Sequence, residues 1–275
     1  MTYELHFGDC LEIMPTLESG SIDAIITDLP YGTTACKWDT VIPFEPMWKE
    51  VKRLLKPNGV FVTTASQPFT SALIMSNIEM FKYEWIWHKN FSGGFSSAKT
   101  HPMKYHENIL VFYKNKPTYN PIFEEYAESV KKRFTDGESV NVDKQREKST
   151  NQIHNGFGSS PHSISLKRGR YPSSVQKISG VPNCNGTRCH PTQKPVALYE
   201  YLIRTYTNEG DTVLDICMGS GTTIVSAIRT GRNAIGIEMD KDYFEIAEKR
   251  CKEATLQPNL FPNRIANTET QKELL

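Results

Sequence analysis

The chain has 275 residues, 38% of them apolar and 11% aromatic, which supports a sizeable core and excludes wholesale disorder. Thirty-two basic residues against 31 acids leave a formal net charge of +1, which excludes a uniformly basic DNA-coating protein but allows a local basic patch. No apolar run approaches the roughly 18 residues of a membrane span, the start MTYELHFGDC carries no secretory signal, and six scattered cysteines suit reduced thiols, so a cytoplasmic protein is expected.

In chain order, Ser21–Thr27 is a short apolar strand that stops at Asp28. Residues 44–56 have helical spacing ended by Pro57-Asn58-Gly59, and residues 60–64 form the next strand. A helix is expected over 68–80, with strands at 84–87 and 108–113. From 114 to 188 the apolar periodicity fades into Gly, Ser, Asn, Pro and Lys. Regular structure returns with a helix at 195–207, a strand at 211–215, a tight glycine loop at 217–221, a helix at 222–230, a strand at 233–238 and a charged helix at 241–253. Strands alternating with helices predict an α/β fold with a mostly parallel central sheet. Residues 1–113 carry 9 basic and 12 acidic side chains, 114–188 carry 13 and 7, and 189–275 carry 10 and 12. The middle segment is therefore the polyanion-facing candidate. Four regions are expected: 1–113, the insert 114–188, 189–253 and a tail, 254–275.

Two loops carry chemistry. In the first, Gly219 and Gly221 follow a strand and open a helix, so backbone can approach a ligand closely. Ile224 stands at the third glycine position of the dinucleotide fingerprint, which disfavours a nicotinamide enzyme. Glu238 ends the next strand, where an acid accepts from both hydroxyls of a ribose. The second loop is Asp28-Leu29-Pro30-Tyr31, after another strand. An acid and an aromatic there can grip a planar ring by its edge and face.

Together these loops resemble the amino-group DNA methyltransferases that use S-adenosylmethionine. Asp28-Leu29-Pro30-Tyr31 resembles their D-P-P-Y target motif, with Leu29 in place of the first proline. Asp215-Ile216-Cys217-Met218-Gly219-Ser220-Gly221-Thr222-Thr223 resembles their cofactor motif, D-x-F/C-x-G-S-G-T-T. His190, Thr192 and Lys194 lie in a segment similar to H-x-T-Q-K-P, and Gly8-Asp9-Cys10 is similar to the glycine–acid pair that contacts the cofactor's adenine. Target motif before cofactor motif is similar to the circularly permuted beta group. The resemblance covers about 1–113 and 189–253. It implies a Rossmann-like methyltransferase fold in a bacterial or phage-infected cell, with Asp28, Leu29, Pro30 and Tyr31 catalytic. It also implies that Asp9, Cys10, His190, Thr192, Lys194, Asp215, Cys217, Gly219, Ser220, Gly221, Thr222, Thr223 and Glu238 bind cofactor.

An exocyclic amine is a poor nucleophile, because its lone pair is delocalised into the ring. Asp28 and the Leu29 carbonyl can both accept from it and push the nitrogen toward tetrahedral geometry, so positioning supplies the catalysis and no metal is required. Tyr31 would stack on a base that has left the duplex. Pro30 keeps residue 29 extended despite the leucine. Chemistry at cytosine C5 needs a Pro-Cys pair, which is absent from the chain.

The reading is therefore adenine-N6 methylation of double-stranded DNA. N4-cytosine methylation, RNA or protein-amide methylation, and a non-catalytic DNA-binding module are the alternatives. Aspartate at the head of the target motif favours adenine within the family. Lys131, Lys132, Arg133, Lys167, Arg168 and Arg170 in the insert are candidate phosphate contacts. Asn151, Gln152, Asn155 and Arg188 are candidate base readers. Trp87-x-Lys89 resembles a segment frequent in the family, with no role attached to it. Cys184 and Cys189-His190 lack a second pair of ligands, so no metal is expected. In the tail, Gln257, Leu260 and Phe261 resemble the Q-x-x-L-F sliding-clamp peptide, unless that pair packs on the protein's own core. Either a monomer or a homodimer fits.

Overall fold

The computed structural model describes residues 2–34, 39–93, 98–128, 140–141, 163–164, 169–181 and 193–256. They fall into two compact units: Met1–Asn120 with Ser174–Arg264, and Pro121–Ser173 with Ile265–Leu275.

The first unit is an eight-stranded sheet between two helical layers. Its strands are β1 (Tyr3–Phe7), β2 (Ile22–Thr27), β3 (Leu55–Ala65), β4 (Phe81–Gly93), β5 (Lys104–Phe112), β8 (Val175–Lys177), β9 (Thr212–Asp215) and β10 (Asn233–Glu238). They lie in the order β1-β10-β9-β2-β3-β5-β4-β8. From β1 to β3 every pairing is parallel, whereas β5 runs antiparallel to both of its neighbours. Parallel strands buried on both faces read as continuous apolar runs, as in β2, where Ala24 and Ile26 enter one core and Ile25 the other.

One core lies under α4 (Val196–Tyr206), α5 (Thr222–Thr230) and α6 (Lys241–Leu256). The opposite core is covered by α1 (Cys10–Ile13), α2 (Phe44–Leu54) and α3 (Phe69–Ser76). On that side Trp48 contacts Phe61 and Phe112 with ring centroids 5.0 Å away from each.

The mostly parallel α/β architecture agrees with the sequence reading. The helix expected over 68–80 is shorter, because Asn77 leaves helical geometry at φ −154°. The strand expected at 84–87 is the inner part of the longer β4, and the one expected at 108–113 covers the C-terminal half of β5 and runs one residue past its end. Strand β1 is not among the expected elements. No described helix is long and apolar enough to cross a membrane.

The second unit contains β6 (Val140–Asn141) paired antiparallel with β7 (Ser163–Ile164), and a bridge between Glu124 and Arg170.

Candidate active site

Strands β9 and β2 are adjacent and parallel, yet they come from opposite ends of the sequence. From there the chain steps outward in opposite senses, β9 to β10 on one side and β2 to β3 on the other, and in open α/β sheets such a switch point opens a crevice beyond the carboxyl ends of the strands. A cavity of about 820 Å³ occupies this place. Around it stand the ends of β1, β2, β9 and β10 with the loops that follow each.

On the β9–β10 side the glycine loop turns tightly, with Gly219 at φ 51° and Gly221 at φ 79°. A Cβ on Gly221 would lie 3.0 Å from the Cβ of Ala247 in α6, so glycine is required by both conformation and space. Asp215 is buried and accepts from Thr27 Oγ1 at 2.7 Å, from the Cys217 N–H at 3.0 Å and from Thr223 Oγ1. Burial pushes its carboxyl up to about 6, against the pull of those hydrogen bonds. Glu238 accepts from the Gly219 N–H at 2.8 Å through one oxygen and from the Asp240 N–H at 2.8 Å through the other. Each oxygen keeps a lone pair for a ligand. Burial raises its pKa as well.

Asp9 caps α1 by accepting from the Leu11 N–H at 2.8 Å, beside Cys10. A hydrogen bond with Cys10, then burial, raises the Cys217 thiol well above its usual range. Ser220 is tied outward: its carbonyl and hydroxyl both accept from Arg250 of α6.

On the β2 side Asp28 is the hub. Its Oδ1 accepts from the Tyr31 hydroxyl at 2.9 Å and from Thr64 of β3, and its Oδ2 accepts from Lys194 Nζ at 2.6 Å. A carboxylate has about four lone-pair positions, so one acceptor position remains. Tyr31 stacks on Phe69 at 5.3 Å, and Lys194 Nζ lies 5.5 Å from the centre of its ring. Burial, then the Asp28 charge, holds the Tyr31 hydroxyl protonated far above its usual value. Asp39 fixes the loop after Tyr31 by accepting from the N–H groups of Gly32, Thr33 and Thr34 at 2.8, 2.9 and 2.6 Å.

The sequence-selected Asp9, Cys10, Asp28, Leu29, Pro30, Tyr31, Lys194, Asp215, Cys217, Gly219, Ser220, Thr222, Thr223 and Glu238 all line this cavity. Gly221 supports it from the turn behind. Lys194, grouped by resemblance with the cofactor segment, donates to Asp28 Oδ2 within the same cavity. Sequence reasoning missed Asp39, Thr64, Lys104 and Glu107; only Asp39 has a local signal, as an acid shortly after the loop it holds. His190, Thr192, Lys131, Lys132, Arg133, Lys167, Arg168, Gln257, Leu260 and Phe261 lie outside the described residues, as do Asn151, Gln152, Asn155, Cys184, Arg188 and Cys189. In the second unit Arg170 forms an ion pair with Glu124. No group of three or more metal-ligating side chains occurs among the described residues.

The family model described as DNA methylase, of the N6/N4 type, matches residues 22–249. The chain belongs to the N6/N4 DNA methylase family. This methylase is 32% identical over 266 residues to the type II methyltransferase M.HpaI of Haemophilus parainfluenzae, across 91% of this chain and 74% of that one. It is 30% identical over 270 residues to the DNA adenine methyltransferase YhdJ of Escherichia coli K12, across 90% and 82%. Among solved structures it is similar to the M1.HpyAVI–SAM complex, with a TM-score of 0.58 and 25% identity over 90% of this methylase and 98% of that chain.

Proposed function

We propose that this DNA methylase transfers a methyl group from S-adenosylmethionine to the exocyclic N6 amine of adenine in double-stranded DNA. The observation that carries the reading is a single cavity in which the Asp28 hub and the glycine loop stand on adjacent strand ends. The donor set fits the cofactor: three carboxylates, Asp9, Asp215 and Glu238, suit a sulfonium and an ammonium, and Glu238 keeps acceptor capacity for a ribose diol. S-adenosylmethionine, when bound, supplies an electrophilic methyl on a sulfonium that needs no metal.

The residues of the chain do the positioning. Asp28 accepts one hydrogen of the target amine at its remaining acceptor position, and the Leu29 carbonyl accepts the other. These two acceptors pull the nitrogen out of the ring plane and turn its lone pair toward the glycine-loop side of the cavity. Lys194, Thr64 and the Tyr31 hydroxyl hold Asp28 fixed, so it orients the amine first, and the proton that the methylated nitrogen sheds then passes by way of Asp28 to solvent. Pro30 stiffens the loop, and Tyr31 with Phe69 behind it offers an aromatic face to a flipped base. Aspartate at position 28 and the similarity to an adenine methyltransferase favour adenine over cytosine N4.

Residues 1–113 then form the target half, 189–253 the cofactor half and 114–188 the DNA-recognition insert. Lys131, Lys132, Arg133, Lys167 and Arg168 contact phosphates; Arg170 does so only if it leaves Glu124. Recruitment to a sliding clamp through Gln257, Leu260 and Phe261 is tested by pull-down against an L260A/F261A variant. Sedimentation distinguishes monomer from homodimer.

Asp28→Ala tests the reading. Methyl transfer should be abolished, with S-adenosylmethionine affinity within about twofold of wild type, because binding and chemistry use different walls of the cavity. Retained turnover would overturn the role of Asp28.

A further inference from the structure

Behind the Asp28 hub lies a second set of charges that the proposed chemistry does not use. Glu107 stands on β5 directly opposite Trp87 of β4, with Lys89 two residues further along β4. Lys89 Nζ donates to Glu107 Oε1 at 2.9 Å and lies 5.5 Å from the centre of the Trp87 ring. Glu107 Oε2 is buried, has no hydrogen-bond partner, and sits 3.5 Å from Lys194 Nζ. The Lys194 side chain is only 9% exposed, and its other carboxylate neighbour is Asp28. A largely shielded chain therefore runs Lys89–Glu107–Lys194–Asp28, with Lys194 the most buried of the four.

Such a chain is a poor stabilising device. Desolvating buried ions costs several kcal/mol each, and an apolar replacement of similar volume is often as stable. Its geometry instead favours aim. Lys194 is a long, flexible cation held from two sides, so its ammonium cannot swing away from Asp28. Without Glu107, the ammonium groups of Lys194, Lys89 and Lys104 would all lose a carboxylate that now attracts each of them.

We propose that Glu107, clamped by Lys89, is a positioning residue for methyl transfer that fixes Lys194 and, through it, the Asp28 carboxylate against the target amine. This rests on the reading of Asp28 as the acceptor of that amine. Lys194 pairs with Asp28 from the loop after β2 and with Glu107 from β5, and its ammonium lies over the Tyr31 ring; Lys104 of β5, Lys89 of β4 and Tyr199 of α4 line the same cavity wall. Burial favours loss of its proton, and the Asp28 and Glu107 charges oppose that and raise its pKa. Removing the Glu107 charge therefore brings Lys194 deprotonation to lower pH.

The test is steady-state methylation of duplex DNA by Glu107→Gln and Glu107→Asp across pH 6 to 10. Glu107→Gln should lower kcat by about 10- to 100-fold, the scale of a misplaced catalytic group. The KM for S-adenosylmethionine should stay within about twofold. Lys194 is held above its ordinary value in the wild type, whose kcat should therefore stay level to pH 10, whereas that of Glu107→Gln should begin to fall at the alkaline end of the range, and Glu107→Asp should recover part of both effects. If Glu107→Gln folds poorly, the double variant Glu107→Gln, Lys89→Met removes the pair without orphaning a charge and should show the same loss of kcat. Wild-type kcat in either variant, or a Glu107→Gln profile as level to pH 10 as the wild type's, would overturn the proposal. Asp28→Ala separates the layers: an inactive Asp28→Ala beside a fully active Glu107→Gln defeats this inference alone, whereas an active Asp28→Ala defeats the reading beneath it.

Discussion

Replacing Asp215 by asparagine removes a charge that the fold holds at a cost. The side chain is 2% exposed at the end of β9, and burial lifts its carboxyl from the ordinary aspartate value of about 3.9 to about 6. Below pH 4 both the folded and the unfolded chain carry the proton. Between those two values the folded protein keeps a proton that the unfolded chain has released, so the stability this proton supplies is lost as pH rises through 6. At about 1.36 kcal/mol per pH unit the full difference is about 3 kcal/mol, of which about 2 kcal/mol falls between pH 4.5 and 7.5. Asparagine keeps an oxygen for the Cys217 N–H and has no charge to desolvate, and the Thr27 and Thr223 hydroxyls can rotate to suit it. The assay is urea unfolding of wild type and Asp215→Asn at both pH values, which cancels every other titrating group. The advantage of the variant should grow by about 2 kcal/mol from pH 4.5 to 7.5. An advantage that is flat, or that shrinks with pH, would refute the reasoning. The same charge faces the cavity, so wild-type affinity for the cationic cofactor should rise with pH until about 6 and then level.

Gly221→Ala places a methyl in the left-handed region at φ 79° and 3.0 Å from Ala247 Cβ, so a loss of about 2–4 kcal/mol in urea unfolding is expected; an unchanged midpoint would contradict the packing. Asp39→Ala leaves the N–H groups of Gly32, Thr33 and Thr34 without their acceptor, and amide exchange at 32–34 should quicken by at least about tenfold. Burial alone would raise the Asp39 carboxyl, but its hydrogen bonds with Thr34, Gly32 and Thr33 hold it below the usual range. That contribution is present above about pH 4 and is lost as pH falls further. DNA affinity should drop steeply with salt, and neutralising Lys131, Lys132 and Arg133 should reduce the log–log slope by about 0.9 for each phosphate that they pair with; an unchanged slope would deny those residues that role.

The elements that build the site were legible because their signals are local. Strands β2, β9 and β10 are short apolar runs ended by Asp28, Asp215 and Glu238, and α5 starts where two positive-φ glycines end a turn. Strand β1 gave a weaker signal and was missed. Its Tyr3-Glu4-Leu5-His6-Phe7 alternates apolar and polar residues, as a half-buried edge strand does, but over only five residues and without the continuous apolar run that marks the inner strands. The charge chain behind Asp28 was hidden for a different reason. Lys194 and Asp28 are 166 residues apart, and Thr64 and Asp28 are 36 apart, so no window of sequence contains either contact. Lys89 is nearer to Glu107, at 18 residues, but that pair depends on the register of β4 against β5. Lys194 itself stood out by resemblance, yet which carboxylate it serves depends on the packing of the sheet.

The most direct test of the central claim is the chemical identity of the product. Purified protein is incubated with methyl-labelled S-adenosylmethionine and unmethylated duplex DNA, and the DNA is digested to nucleosides for mass spectrometry. The label should appear in N6-methyladenine. Label in N4-methylcytosine, or none in any nucleoside, would contradict the assignment of Asp28 and its loop to adenine.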